Sequence, residues 1–340
     1  MKVSAVTEVP GKTRTRAPFA SSALRESILL IIVVVVCVYF AVSTEGFTLA
    51  NVLDRTRYWS AVGFLAIPMT FIIATAGIDL SVASLLALCG VVFGIVYRDL
   101  HVPVFVAAVC AVCIGGVCGA VNGFFISRVN IPPLVVTLAT MTLFRGMAMG
   151  LSQARPVGGF PSGFSRLGQG NLLTVPIQGE MIALPIATAS MLGAGVLGWI
   201  VLRKTWVGRY VECLGENSTA ARFAAIPAAR LLFALYLCTG IACGLAALYH
   251  TALFDTAKAD AARGMELEAI ACVVLGGTRI SGGKASIAGT LLGLMLLQVT
   301  RYGLELQGVK TQYIVIGMGC LLIIAALLNE WLSPKEGRRS

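Results

Sequence analysis

VFVAAVCAVCIGGVCGAVNGFFI, from Val104 to Ile126, contains no charged side chain, and as a helix rising 1.5 Å per residue it reaches roughly 35 Å. That length crosses the hydrocarbon core of a bilayer, which is roughly 30 Å thick. Inside the run, small residues recur at every fourth position, at Ala107, Ala111, Gly115, Gly119 and Gly123. They make one smooth helical face on which a second backbone can lie closely, the small-xxx-small packing of membrane helices. Asn122 adjoins that face and is placed to hydrogen-bond across helices, and Gly240 with Gly244 and Gly289 with Gly293 repeat the spacing.

Comparable apolar runs recur on both sides. They lie at Ile28 to Val42, Ser60 to Ala76, Val82 to Tyr97, Leu134 to Leu151, Ile182 to Leu202, Leu231 to Leu248, Leu267 to Leu275, Ala285 to Thr300 and Tyr313 to Leu328. With the first run they predict an all-α, polytopic membrane protein of about ten spans, in which residues 28–328 form the membrane domain and 1–27 and 329–340 are basic tails. Ten spans of about 20 residues use roughly 200 residues, which leaves only short loops in this chain. Composition agrees: 57% of the 340 residues are hydrophobic, 37 more are glycine, and only 12% are charged, where a soluble domain carries roughly 25%. A β-barrel is excluded because its strands alternate apolar and polar residues in segments of roughly ten.

The net charge of +10 is topogenic and gives no sign of nucleic-acid binding, because the basic residues sit between apolar runs without interleaved aromatics. Of the 26 Lys and Arg residues, 16 fall on the side of the termini, 9 on the other side and one, Arg145, inside a span. Both termini are therefore expected to be cytoplasmic, in a multi-pass membrane protein; the resemblance set out below implies a bacterial inner membrane. Nine of the ten cysteines lie in apolar runs and read as small hydrophobes; Cys110 and Cys113 have no histidine or acid beside them to make a metal site. No enzyme motif emerges. There is neither H-E-x-x-H nor G-x-S-x-G, and the glycine turn before Lys284 lacks the first glycine and the Ser or Thr of a Walker A loop.

Four places depart from the bland pattern. GIDLS, Gly77 to Ser81, sets an aspartate in a tight turn between two apolar runs, where Asp79 serves as a helix cap with Ser81, lies on a translocation path, or does both. In GMELEAIACVVLGGTRISGG, Gly264 to Gly283, Glu266 and Glu268 open an apolar run that glycines soon interrupt. It reads as a half-length helix lining a cavity or as a span that starts earlier, near Leu253. GENSTAARFAAIP, Gly215 to Pro227, predicts a short helix capped at Asn217 or Ser218 and stopped by proline after Ile226, which turns the chain or meets a soluble partner. The loop Ser152 to Met181, rich in Gly and Pro, is a docking surface or a connector.

Taken together, GIDLS, the Asn122-Gly123 pair followed by IPPLVVTLATMTLFRG (Ile131 to Gly146), GENSTAARFAAIP and GMELEAIACVVLGGTRISGG resemble the permeases of bacterial ABC importers for monosaccharides, the ribose, xylose, arabinose and rhamnose group. The matches span roughly residues 60 to 328; where the family's turn usually reads GGIDLSVGS, Ala76 and Ala83 replace glycines. The resemblance implies the ABC-importer permease fold, a second permease chain, homo- or heterodimeric, a periplasmic sugar-binding protein, and a cytoplasmic ATP-binding subunit that holds ATP and Mg, with no cofactor in this chain. It implies that Gly215, Glu216, Asn217, Ala220, Ala221, Arg222 and Phe223 couple to the ATPase. For a neutral, hydroxyl-rich solute moved by alternating access, the path candidates are Asp79, Asn122, Thr137, Thr140, Thr142, Glu266 and Glu268. GMELEAIA leans toward a deoxysugar such as rhamnose, or toward the autoinducer-2 branch, over ribose. A stand-alone carrier or channel is the alternative.

Overall fold

In a computed structural model, which describes residues 20–177 and 180–331, every expected apolar run contains a helix. Thirteen helices are present among the described residues: α1 (Ala20–Ser43), α2 (Leu49–Ala74), α3 (Val82–Arg98), α4 (Val104–Ser127), α5 (Pro133–Ser152), α6 (Ser162–Gln169), α7 (Ile186–Lys204), α8 (Trp206–Glu216), α9 (Ser218–Phe223), α10 (Ala228–Phe254), α11 (Met265–Leu275), α12 (Ile287–Leu306) and α13 (Thr311–Trp331). Seven of them are long and apolar enough to cross a membrane; α3 is a shorter apolar helix and α11 has only 11 residues. Side chains end the helices where the chain must turn. Thr48 accepts a hydrogen bond from Asn51 N at the start of α2, Ser286 from Gly289 N at α12, and prolines at 103, 132, 161, 185 and 227 sit at the N-caps of α4, α5, α6, α7 and α10.

Several boundaries move. α1 begins at Ala20, inside the expected tail, and the rest of that tail lies outside the described residues, as do residues 332–340. α2 begins at Leu49, eleven residues before Ser60, because a Thr48 cap starts it and the polar stretch DRTRYW continues it. The span expected from Ile182 starts at Ile186, since residues up to Pro185 are strand.

The small-residue face of α4 packs on α10. A Cβ at Gly115 would collide with the Gly240 carbonyl oxygen, one at Gly119 with the Tyr236 carbonyl oxygen, and one at Gly244 would lie 2.7 Å from Val112 Cα. Gly123 completes the seam, with a Cβ there falling 3.0 Å from the Phe233 carbonyl oxygen. A membrane removes the hydrophobic drive for helix pairing, so this backbone-to-backbone contact carries the association by van der Waals attraction. Gly289 and Gly293 do the same for α12 against Gly276 and Cys272 at the end of α11. α2 lies at the centre and is mostly buried, with Pro68 in its interior removing one backbone hydrogen bond.

The segment between α5 and α7 is folded. β1 (Val157–Gly158) pairs antiparallel with β4 (Thr256–Ala257), and β2 (Asn171–Ile177) forms a hairpin with β3 (Glu180–Pro185). Phe160 and Phe164 anchor it on Phe93 of α3, with ring centroids 5.1 and 4.6 Å away. The molecule thus has one face bearing the hairpin and the opposite face bearing α8 and α9.

Candidate functional site

Three places on this scaffold concentrate polar chemistry, and α2 touches all of them or their supports. The first is the GIDLS turn, buried toward the α8–α9 face. Asp79 Oδ1 accepts hydrogen bonds from Ser81 N at 2.9 Å and from Ser81 Oγ at 2.6 Å, so the carboxyl braces the residue at the N-cap position of α3, whose side chain makes no cap bond to the helix itself. Asn122 Nδ2 donates to Ser81 Oγ at 2.9 Å, and Thr137 Oγ1 donates to the Ile78 carbonyl at 3.2 Å. Asp79, Asn122 and Thr137 are all buried, which ties α3, α4 and α5 to one turn. Two atoms here lack partners among the described residues, Asn122 Oδ1 and the Tyr236 hydroxyl. Each buried unmet group costs about 1–3 kcal/mol, so this cluster is held less securely than its burial suggests.

The other sequence candidates do not join it. Thr140 is buried but spends its hydroxyl on the Val136 and Thr137 carbonyls of its own helix. Thr142 is exposed, bonded to the Ala139 carbonyl, and points away. Glu266 and Glu268 sit at the opposite end of the molecule, where the half-length reading holds: α10 ends at Phe254 and α11 is a separate helix. Glu266 Oε2 accepts from Gly264 N at 3.1 Å and so caps α11.

The second place is a cavity of about 310 Å³ on the hairpin face, lined by Arg55, Tyr58 and Trp59 of α2, Glu268 of α11, and Gln298, Arg301, Tyr302 and Glu305 of α12. Arg301 reaches Glu268 at 3.0 Å and Glu305 at 3.1 Å, Arg55 reaches Glu305 at 3.4 Å, and Gln298 Nε2 donates to Glu268 at 3.4 Å. Arg55 also lies over the rings of Tyr58 and Tyr302, 5.1 and 5.0 Å from their centroids. Both carboxylates are thus matched by Arg55 and Arg301, while Arg263, also on the cavity wall, has no ion pair among the described residues; the rim offers donors and acceptors beside aromatic surface. Of these residues only Glu268 was a sequence candidate; the α2 residues were missed because they fall before the expected start of their span, and Arg301 with Glu305 because they fall after the end of theirs. Arg145, the cation inside a span, donates to the Ala259 and Ala261 carbonyls at 2.6 and 2.9 Å and so fixes the loop that leads into α11.

The third place is the surface made by α8 and α9. Thr205 caps α8 through Val207 N at 3.2 Å and Asn217 caps α9 through Ala220 N at 2.9 Å. α9 ends at Phe223, three residues earlier than expected, because Ala225 takes a left-handed conformation with φ of 56°. Gly215 and Glu216 belong to α8. Ala221 is buried against the body, whereas Phe223 is 89% exposed. The end of α8 is keyed into the core: a Cβ at Gly215 would collide with the carbonyl oxygen of Ala74, the last residue of α2, and Gly283 N donates to that same oxygen at 2.9 Å. Gly282 and Gly283 take φ of 87° and 84°, which only glycine adopts readily. Burial raises the Glu212 carboxyl above its ordinary range, with a backbone hydrogen bond from Ala285 opposing that effect.

The family described as branched-chain amino acid transport system / permease component matches residues 51–326. The chain belongs to that permease family. It is 34% identical over 332 residues to the autoinducer 2 import system permease protein LsrD of Yersinia pseudotuberculosis serotype O:1b (strain IP 31758), covering 93% of this chain and 97% of that one. The corresponding LsrD of Yersinia pestis (strain Pestoides F) is 33% identical over the same shares. No solved structure matches. The resemblance to the sugar-importer permeases is borne out. The chain is a multi-pass membrane permease of an ABC import system, and its role is transport and not catalysis.

Proposed function

We propose that the chain imports a neutral, hydroxyl-rich solute of the monosaccharide or autoinducer-2 class, paired with a second permease chain and driven by a separate ATP-binding subunit. The hairpin face is periplasmic and receives the solute from a binding protein; the α8–α9 face and both termini are cytoplasmic. ATP and Mg belong to the partner subunit. The observation that carries this reading is the contact of Gly215 and Gly283 on the Ala74 carbonyl. It joins the exposed α8–α9 surface to the end of α2, whose other end supplies Arg55, Tyr58 and Trp59 to the cavity. Displacement of α9 by a closing ATPase dimer is thereby passed to α2, hinged at Pro68, and to the Asp79 turn five residues beyond Ala74.

The family description includes amino acids, but a zwitterion demands one free cation and one free carboxylate. Here both cavity carboxylates, Glu268 and Glu305, are already paired with Arg301 and Arg55, so the ammonium end of a zwitterion meets no free carboxylate, although Arg263 on the same wall has no ion pair among the described residues. Hydroxyls can be accommodated by the pairs as they stand. In vesicles holding the complete importer, Arg222→Glu with Phe223→Asp is expected to abolish solute uptake and its stimulation of ATP hydrolysis. Unchanged uptake, or uptake by the purified chain alone down a gradient, would instead mark a stand-alone carrier. Competition of uptake by monosaccharides but not by leucine or valine distinguishes the solute classes.

A further inference from the structure

A cavity of about 560 Å³ opens on the α8–α9 face between the end of α4, the turn into α5 and the start of α10. Arg128, Arg222 and Arg230 all line it and no acidic residue does. None of the three makes an ion pair or a side-chain hydrogen bond among the described residues, whereas Arg55, Arg57, Arg98 and Arg301 all have carboxylate partners. Ser127, 6% exposed, lines the same cavity with a hydroxyl that has no partner. That hydroxyl stands out, because Thr140, Ser152 and Thr239 each donate to the carbonyl four residues back in their own helices. The start of α10, a 27-residue helix, also borders the cavity and brings its positive end to it. Three uncompensated guanidinium groups, one idle buried hydroxyl and a helix N-terminus together make a receptor for a tetrahedral oxyanion.

We infer that this cavity binds the phosphodiester headgroup of an anionic phospholipid in the adjoining leaflet. Its position decides between oxyanions, because α4, α5 and α10 all reach the membrane boundary here. Phe124, Phe125 and Val129, 50%, 40% and 50% exposed, flank Ser127 and Arg128 along the chain and leave apolar surface open next to them. Ile226 and Leu232 add an apolar wall suited to glycerol and the first acyl carbons. Basic pockets between membrane helices on one leaflet hold acidic headgroups by the same physics. Arg222 is shared with the surface assigned to the ATPase, whereas Arg128 and Arg230 lie outside it, so the variants that test the inference are made at those two and at Ser127.

The test uses the full-length chain, purified in mild detergent and examined by native mass spectrometry after exposure to phosphatidylglycerol or phosphatidylcholine. The wild-type chain is expected to retain phosphatidylglycerol in preference, and each arginine removed in Arg128→Gln, Arg230→Gln and the double variant is expected to weaken retention by about fivefold. Ser127→Ala, which leaves the charge intact, is expected to weaken it measurably with an unchanged elution profile, and so covers the case in which the double variant fails to fold. Equal retention of the two lipids, or unchanged retention by Arg128→Gln and Arg230→Gln, overturns the inference. So does full competition by inorganic phosphate, which would make the site one for free phosphate. Protection of these arginines from dicarbonyl labelling only when the ATP-binding subunit is added overturns it in favour of an acidic protein surface.

Discussion

The seam between α4 and α10 and the junction around the end of α2 are both built from glycine, yet they do opposite things. In the seam, Gly115, Gly119, Gly240 and Gly244 are helical, and their missing side chains let two long helices touch backbone to backbone over several turns. Nothing in that contact can slide without opening a void or a clash, so it behaves as a fixed block. At the junction, Gly277, Gly282 and Gly283 have positive φ, α11 stops after 11 residues, and single contacts from Gly215 and Gly283 converge on one carbonyl. Helical glycine brings elements together for packing; glycine in left-handed turns gives a segment that can be moved. A permease needs both, a frame and a lever.

The comparison can be broken from either side. Gly119→Leu drives a side chain into the Tyr236 and Gly240 backbone, and is expected to destabilise by about 3 kcal/mol or more. A collapse of the monodisperse peak in fluorescence-detected gel filtration reads it out. Asp79→Ala removes the acceptor for Ser81 N and Ser81 Oγ and is expected to cost about 1–3 kcal/mol, seen as a lower midpoint in thermal unfolding. Asp79→Asn, which keeps an acceptor oxygen, is expected to recover part of that loss. Arg301→Gln opens two part-exposed ion pairs worth about 0–1 kcal/mol each. Its unfolding midpoint should stay near that of the wild type while solute uptake falls several-fold. Gly146→Ala, at a helical glycine with open space around it, is expected to change stability by no more than about 1 kcal/mol and to favour the helix. A loss of folding there would mean that glycine spacing, and not backbone contact, sets the seam.

Much of the frame was legible in the sequence, because a membrane forces long apolar runs and close packing forces small residues at fixed spacing. The stripe from Ala107 to Gly123 named one side of the seam, and Gly240 with Gly244 named the other. GIDLS was legible as a buried polar turn, since an aspartate between apolar runs must find donors and Ser81 is two residues away. The cavity was less so. Its residues lie at helix ends, where DRTRYW before Ser60 reads as loop until a Thr48 cap and the packing of the body extend the helix through it. α8 was missed altogether, although Val207, Tyr210, Val211 and Leu214 recur at helical spacing, because the basic residues around it drew attention to charge. The hairpin of β2 and β3 escaped because its alternating stretch runs straight into an apolar span. Proximity of Gly215, Gly283 and Ala74 is a long-range fact that no local pattern contains.

The central claim, that α8 drives α2 through the Ala74 carbonyl, is tested most directly by Gly215→Ala in the complete importer reconstituted in vesicles. One added methyl group meets that carbonyl oxygen while leaving the α9 surface untouched. The account predicts an assembled complex that still hydrolyses ATP but no longer couples hydrolysis to solute uptake. Uptake per ATP equal to that of the wild type would contradict it.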